Sequence, residues 1–86
     1  MPTVSAFFGI FIRMYYREHG PPHFHAVYGD RQASIRIDTL EVLEGRLGRR
    51  AMALVLDWAE IHQDELLENW TAVQEHRPLR AIPPLE

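Results

Sequence analysis

The sequence predicts a small α+β protein in which an antiparallel β-meander of three to four strands packs against one or two C-terminal helices. Two observations lead to this fold class. In the first half of the chain apolar residues alternate with a period of two, and from Leu47 onward they follow steps of three and four. With 86 residues, 47% of them hydrophobic, residues 1–86 are expected to form a single domain.

The strands are predicted at about residues 5–45. The first one covers residues 10–15, and Gly9 separates it, by a bulge or a turn, from the apolar run at residues 6–8. The second strand is predicted at His23–Tyr28. Gly29-Asp30 then supplies a two-residue hairpin loop with glycine first, which is typical of a type II′ turn.

A third strand is predicted at residues 32–38, followed by a tight turn at Thr39-Leu40 and a short strand at residues 41–44 that Gly45 ends. Side-chain alternation assigns four apolar residues to the face that the helices cover: Ile12, Met14, Ile35 and Ile37.

The helical region is predicted at about residues 48–76. One straight helix of that length would extend roughly 40 Å, too far for so small a domain to cover. We therefore expect two helices, at about residues 48–62 and 64–75, or one bent helix. His62 and Glu65 have the spacing of a capping arrangement at the break. The extended tail, residues 77–86, contains three prolines and is expected to dock on this domain or on a partner.

Three of the five histidines fall within seven residues, directly around Pro21-Pro22. His23 and His25 should point to the same face of the second strand, with their Cα atoms roughly 6.6 Å apart. We expect that face to be the polar one, because Phe24 and Tyr28 are larger apolar groups to bury. Such a pair could hold one ion or one phosphate, or transfer a proton.

The same polar face is predicted to carry side chains that could bind a phosphate or a nucleic acid: Arg13, Tyr15 and Arg36. Guanidinium groups would hold the phosphate oxygens, while His23 and His25 are candidate catalytic residues that could supply acid and base near neutral pH. The net charge of −3 excludes a global basic field, so any phosphate contact must be local.

A purely structural interpretation explains the same residues. The histidines could bond turn carbonyls or stack on Tyr15 and Tyr16, and Arg36 could pair with Asp38 or Glu41.

A metal site is a further alternative. His23 and His25 would give two ligands of the three or four that zinc needs, and His19, Glu18 or Asp38 could complete the set. If a metal is bound, the candidate ligands are His19, His23 and His25. No cofactor is predicted. The absence of cysteine excludes a thiolate zinc site and a disulfide framework.

Six segments distributed over nearly the whole chain form a recognisable set: Thr3-Val4-Ser5, Phe8-Gly9-Ile10, Ile12-Arg13-Met14-Tyr15, Pro21-Pro22-His23-Phe24-His25, Glu41-Val42-Leu43-Glu44-Gly45 and Glu65-Leu66-Leu67-Glu68-Asn69-Trp70. Together they resemble the bacterial domain-of-unknown-function 4160 family, and the Pro-Pro-His-Phe-His segment is specific. The resemblance implies a small α+β protein, often encoded beside a domain-of-unknown-function 2442 protein in what looks like a toxin–antitoxin pair, without a settled catalytic mechanism. Family members often have Gly or Asn at the position of Leu40.

The leading functional hypothesis is an accessory protein of a toxin–antitoxin-like pair that binds a protein partner, of the domain-of-unknown-function 2442 type, through its helices or tail. The alternatives are a ribonuclease-like toxin that uses His23 and His25 with Arg13 and Arg36, and a metal-binding regulator. RNA or DNA is a further candidate partner, and a homodimer is compatible with the small size. With neither a signal-like segment nor a membrane-length apolar run, a cytoplasmic location without membrane contact is expected.

Overall fold

The computed structural model describes residues 3–86, which form one five-stranded antiparallel sheet followed by two helices. The strands lie in sequence order across the sheet, so each is hydrogen-bonded to its neighbours in the chain. The elements are β1 (Thr3–Phe7), β2 (Ile10–Arg13), β3 (His23–Tyr28), β4 (Arg31–Arg36), β5 (Val42–Arg46), α1 (Arg49–Ile61) and α2 (Gln63–Gln74). The α+β meander is confirmed, with five strands instead of the three to four predicted.

The additional strand is β1, which joins β2 through the two-residue turn Phe8-Gly9. Both turn residues have positive φ, 50° and 80°, as a type I′ hairpin requires. Of the two alternatives for Gly9, the turn is therefore the one observed. The pairing of β1 with β2 shifts register between Thr3 and Ser5, which breaks the period-two pattern and explains why the sequence did not reveal this strand.

The β3–β4 hairpin has the predicted Gly29-Asp30 loop, with φ of 61° at Gly29 and Tyr28 paired with Arg31. The prediction that Gly45 ends the last strand is wrong, because Gly45 lies inside β5. A Cβ atom there would lie 2.1 Å from the Gln32 carbonyl oxygen. Only glycine allows β4 and β5 to approach this closely.

The tight turn predicted at Thr39-Leu40 is present. The Leu40 amide donates to the Arg36 carbonyl at 2.9 Å, and the Arg36 amide donates to the Glu41 carbonyl at 2.9 Å. Leu40 has φ of 61°, in the left-handed region that Gly and Asn adopt most readily. A leucine is therefore conformationally strained at this position.

The hydrophobic core lies between one face of the sheet and the two helices. The four sheet residues predicted for this face are at most 1% exposed: Ile12, Met14, Ile35 and Ile37. Trp58 of α1 is fully buried, with its ring centroid 5.4 Å from that of Phe7 and 5.9 Å from that of Phe24. Trp58 is thus a core residue that joins α1 to β1 and β3.

The helical region is divided at His62, which has φ of −113° and ψ of 25°. Its amide still donates to the Trp58 and Ala59 carbonyls, while its Nδ1 contacts the Glu65 carboxylate. The structure thus contains two helices rather than one bent helix. Among residues 3–86, neither helix has the length and apolar character needed to cross a bilayer.

The C-terminal tail packs on this domain. The Ile82 amide donates to the Val4 carbonyl at 2.7 Å, and the Ile82 side chain is only 3% exposed. The tail therefore covers the outer edge of β1, the first strand of the sheet.

Two further contacts hold the tail against the helices. The Trp58 indole N–H donates to the Pro83 carbonyl at 2.8 Å. The Asn69 side-chain amide donates to the Arg80 carbonyl and accepts from the Arg80 amide, both at 2.9 Å. Backbone groups that an unpaired tail would leave to solvent are thus satisfied by buried side chains of α1 and α2.

Candidate functional site

The candidate site lies on the sheet face opposite the core, at the start of β3. Phe24 is fully buried on the core side, so His23 and His25 point the other way, as the sequence predicted. In the sheet, His25 lies between Arg13 of β2 and Ser34 of β4. The central strand of the sheet therefore holds both imidazoles in a fixed register.

The loop between β2 and β3 brings Glu18 onto the two histidines. One carboxylate oxygen contacts Nε2 of His25, and the other lies 3.5 Å from Nε2 of His23. The three groups each offer a ligand atom, and these atoms all lie within 4.8 Å of one another. We call Glu18, His23 and His25 the Glu-His-His cluster. His19, which the sequence analysis proposed as a metal ligand together with His23 and His25, is exposed and lies outside the cluster.

The second ring nitrogen of each histidine, Nδ1, also has a hydrogen-bond partner. Nδ1 of His23 lies 2.8 Å from the Pro21 carbonyl oxygen, and Nδ1 of His25 lies 3.2 Å from the Ser34 hydroxyl. A carbonyl oxygen can only accept, so Nδ1 of His23 carries a hydrogen. When that ring is neutral, its Nε2 lone pair is therefore directed toward Glu18.

Aromatic rings enclose the Glu-His-His cluster. The Tyr15 ring meets His25 edge-on at 4.9 Å between centroids, and the Trp70 ring of α2 lies 5.2 Å from His23. The histidine side chains are 10% and 13% exposed and Glu18 is 24% exposed. The cluster is thus shielded from bulk water but still accessible through the carboxylate side.

The two arginines predicted to hold a phosphate neighbour the histidines in the sheet, where Arg36 is engaged by Asp38, while the Nε atom of Arg13 is buried without a hydrogen-bond partner among the described residues. Arg36 donates to both Asp38 oxygens, at 2.5 and 3.1 Å. These hydrogen bonds raise the pKa of Arg36 and lower the pKa of Asp38. Arg13 lies over the Phe11 ring, with Cζ 5.8 Å from its centroid. Of the predicted phosphate-binding residues, Tyr15 alone contacts a histidine through its ring.

Two imidazole nitrogens and one carboxylate oxygen form a recognised ligand set for transition metals. Zinc binds such sets with a fourth position left to water or substrate, and non-haem iron binds the same combination. Sequence reasoning named Glu18 only as one of three residues that could complete the set, because an irregular loop gives no periodicity from which to place a side chain.

Comparison with known proteins gives one positive result. Neither a curated protein nor a solved structure matches the chain. The family model described as domain of unknown function (DUF4160) matches residues 9–71, nearly three quarters of the chain, and this span includes the whole Glu-His-His cluster. The chain is therefore a member of the DUF4160 family.

Proposed function

We propose that this protein binds a divalent transition-metal ion, such as Zn²⁺, through Glu18, His23 and His25. The proposal rests on one observation, the convergence of three ligand atoms within 4.8 Å on the same side of β3. A set of three protein ligands leaves at least one coordination position for water or another ligand. Such a site suits a metal-dependent regulator or a hydrolytic centre.

Small side-chain movements would convert the cluster into a metal site. Around a tetrahedral zinc ion the ligand atoms would be roughly 3.4 Å apart, given Zn–N and Zn–O distances near 2.1 Å. Glu18 already contacts His25, and its second oxygen is 3.5 Å from His23. The three ligand atoms lie within 4.8 Å of one another, so an ion requires them to move together by only about an ångström.

The hydrogen bonds outside the cluster support this assignment. His23 holds its hydrogen on Nδ1 through Pro21, which leaves Nε2 for the metal. Ser34 can donate to Nδ1 of His25 or accept from it, since a hydroxyl does both. His25 can therefore transfer its hydrogen to Nδ1 when Nε2 binds an ion, and no new unsatisfied group results.

Metal titration of protein purified without a histidine tag tests the proposal. We expect Zn²⁺ to bind with one ion per chain by calorimetry, and Glu18→Gln and His25→Ala to abolish this binding. Ser34→Ala should weaken it about 10- to 100-fold, as loss of a hydrogen bond to a ligand does. His19→Ala is the matched control and should bind as the wild type does. No uptake of Zn²⁺, or uptake that survives Glu18→Gln, would refute the proposal.

Trp70 provides an optical measurement of the same site. Its ring is 5.2 Å from His23, so a paramagnetic ion such as Co²⁺ bound at the cluster should quench its emission. Trp70→Phe should remove most of the quenching while Zn²⁺ still binds. Affinity should also rise with pH, because metal binding to neutral imidazole competes with protons. Quenching that is unchanged in Trp70→Phe would place the ion elsewhere.

A second candidate function is binding of a protein partner along β5. All five residues of this edge strand are exposed, including Val42 at 39% and Leu43 at 42%. An open edge with apolar side chains can pair with a strand of another protein. We propose as partner the domain-of-unknown-function 2442 type of protein that the family resemblance suggests, in a toxin–antitoxin-like pair.

Co-expression with the product of the neighbouring gene tests the second candidate. A stable complex should co-purify with the wild-type protein, and Leu43→Lys should weaken it because a charge would be placed within the paired edge. Phe11→Lys is the control, since Phe11 is equally exposed at 43% but lies on β2, away from that edge. Equal loss with both variants, or no complex at all, would exclude recognition through β5.

A further inference from the structure

A cavity separate from the Glu-His-His cluster lies at the other end of β3, where the β1–β2 turn and the β3–β4 hairpin meet the start of α1. The cavity has a volume of about 480 Å³ and opens to the surface. This volume is within the range of about 300–1,000 Å³ that is usual for small-molecule sites. The cavity shares no lining residue with the Glu-His-His cluster.

Three arginines line this cavity: Arg31, Arg49 and Arg50. No acidic residue lines it, and among residues 3–86 none of the three guanidiniums is within ion-pair distance of a carboxylate. The protein as a whole has a net charge of −3, so a third of its nine arginines is concentrated here against the overall charge. Unpaired arginines that line one cavity favour a phosphate ligand.

Gly48 makes room for one of these guanidiniums. A Cβ atom on Gly48 would lie 2.8 Å from Nη1 of Arg31. Arg31 therefore lies directly against the backbone that precedes α1. Its charge is held at the mouth of the cavity rather than extended into solvent away from it.

Two large aromatic rings line the same cavity and remain exposed, Phe8 at 62% and Tyr28 at 43%. Phe8 is in the left-handed region, with φ of 50°, in a type I′ turn where asparagine would be the most favourable residue. A bulky side chain in this conformation is rare. Neither local geometry nor burial explains a phenylalanine at this position, whereas a ring surface for stacking does.

We propose that this cavity binds a nucleoside phosphate, with the base stacked on Phe8 and Tyr28 and the phosphate held by Arg31, Arg49 and Arg50. Stacking on an aromatic side chain contributes to binding whatever the base, because every base has a flat π-surface. Three guanidiniums more than balance the double negative charge of a terminal phosphate, and they offer more N–H donors than its oxygens require. The ligand is either a free nucleotide or the phosphorylated end of an oligonucleotide, which offer the same chemistry.

The test is a titration of the ¹⁵N-labelled protein, followed by NMR, with AMP, GMP, adenosine and inorganic phosphate in the presence of EDTA. The chelator prevents phosphate from binding through a metal at the Glu-His-His cluster. We expect the nucleotides to shift the amide resonances of Gly9, Arg31 and residues 48–51. Adenosine and phosphate should each bind at least about tenfold more weakly than the nucleotides, because each lacks one half of the interaction.

Two variants separate the contributions of the ring and of the charge. Phe8→Asn suits the turn, so it should fold, lower AMP affinity about tenfold and leave phosphate binding unchanged. Arg31→Gln should weaken the binding of both AMP and phosphate. Arg17 is exposed and lies outside the cavity, so the control variant Arg17→Gln should bind both ligands as the wild type does. A 5′-phosphorylated dinucleotide that binds more tightly than AMP would identify the ligand as an oligonucleotide end, and equal or weaker binding would identify a free nucleotide. Unshifted cavity resonances, or AMP affinity unchanged in Phe8→Asn, would overturn the proposal.

Discussion

Because the tail is docked on the core, we expect a single substitution in it, outside both candidate sites, to destabilise the protein strongly. Ile82 is 3% exposed and belongs to the core cluster that contains Trp58 and Leu66. Replacing a buried isoleucine with alanine costs about 2–5 kcal/mol through lost burial and the cavity left behind. A chain of 86 residues has a free energy of unfolding of about 4–13 kcal/mol. Ile82→Ala should therefore remove a large part of the total stability.

Urea unfolding followed by circular dichroism measures this loss. We expect the free energy of unfolding to fall by about 3 kcal/mol. The melting temperature should fall by roughly 12–24 °C, since each kcal/mol corresponds to about 4–8 °C in a domain of this size. Ala81→Ser, at the exposed neighbouring position, is the control and should stay within about 0.5 kcal/mol of wild type.

Limited proteolysis gives an independent measurement of the same contact. Trypsin should cleave the Ile82→Ala protein after Arg80 much faster than the wild type, because the tail would be released from β1. An unfolding free energy that changes by less than about 1 kcal/mol in Ile82→Ala would refute the reasoning. The tail would then not belong to the fold, and a partner would be the better explanation of its apolar residues.

Three other substitutions should change stability in directions that the structure specifies. Phe8→Asn should raise the free energy of unfolding by about 0.5–1 kcal/mol in urea, because asparagine tolerates the left-handed conformation better. Asn69→Ala should lower it by about 2 kcal/mol, because the backbone groups of Arg80 lose two hydrogen bonds. In Asp38→Asn, the stability difference from wild type should shrink as the pH falls from about 5 to 2. Pairing with Arg36 lowers the pKa of Asp38 in the folded state, so its stabilising effect is present above the unfolded pKa and disappears below the folded one.

Each of these expectations has a control or a contradicting outcome. Phe11→Asn, at an exposed strand position with ordinary backbone geometry, should not stabilise the protein, and equal stabilisation would mean that turn strain is not the cause. Glu68 is the exposed neighbour of the buried Asn69, so Glu68→Ala is the control for Asn69→Ala. It should change the free energy of unfolding by no more than about 0.5 kcal/mol. A stability difference for Asp38→Asn that stays constant over the acid range would contradict the ion-pair assignment.

Local sequence signals were sufficient to place most of the fold. The bounds of β3 agree with the prediction because rigid prolines precede the strand and a glycine-first turn follows it. The break near His62 was predictable from the length of the helical region, since one straight helix would extend beyond the domain. Two features depended on contacts between strands that no local pattern encodes. The register shift hides β1, and the close approach of β4 and β5 explains why Gly45 lies within a strand.

The candidate site was only partly predictable for the same reason. Alternation along β3 correctly places His23 and His25 on one face, and the size of Phe24 indicates which face is buried. Glu18 reaches them from a loop whose path is set by tertiary packing. The arginine-lined cavity draws its residues from three separate parts of the chain, so no spacing in the sequence could have revealed it.

The hydrogen bond from Ile82 to Val4 has a consequence for biosynthesis. It joins the two most distant parts of the described chain, so β1 is made long before the segment that covers its outer edge. Until residue 82 has followed, a nascent chain with a complete meander still presents an open strand that can pair with another molecule. Shortened chains that end before Ile82 should therefore aggregate more readily than the full chain, which light scattering of the two proteins would measure.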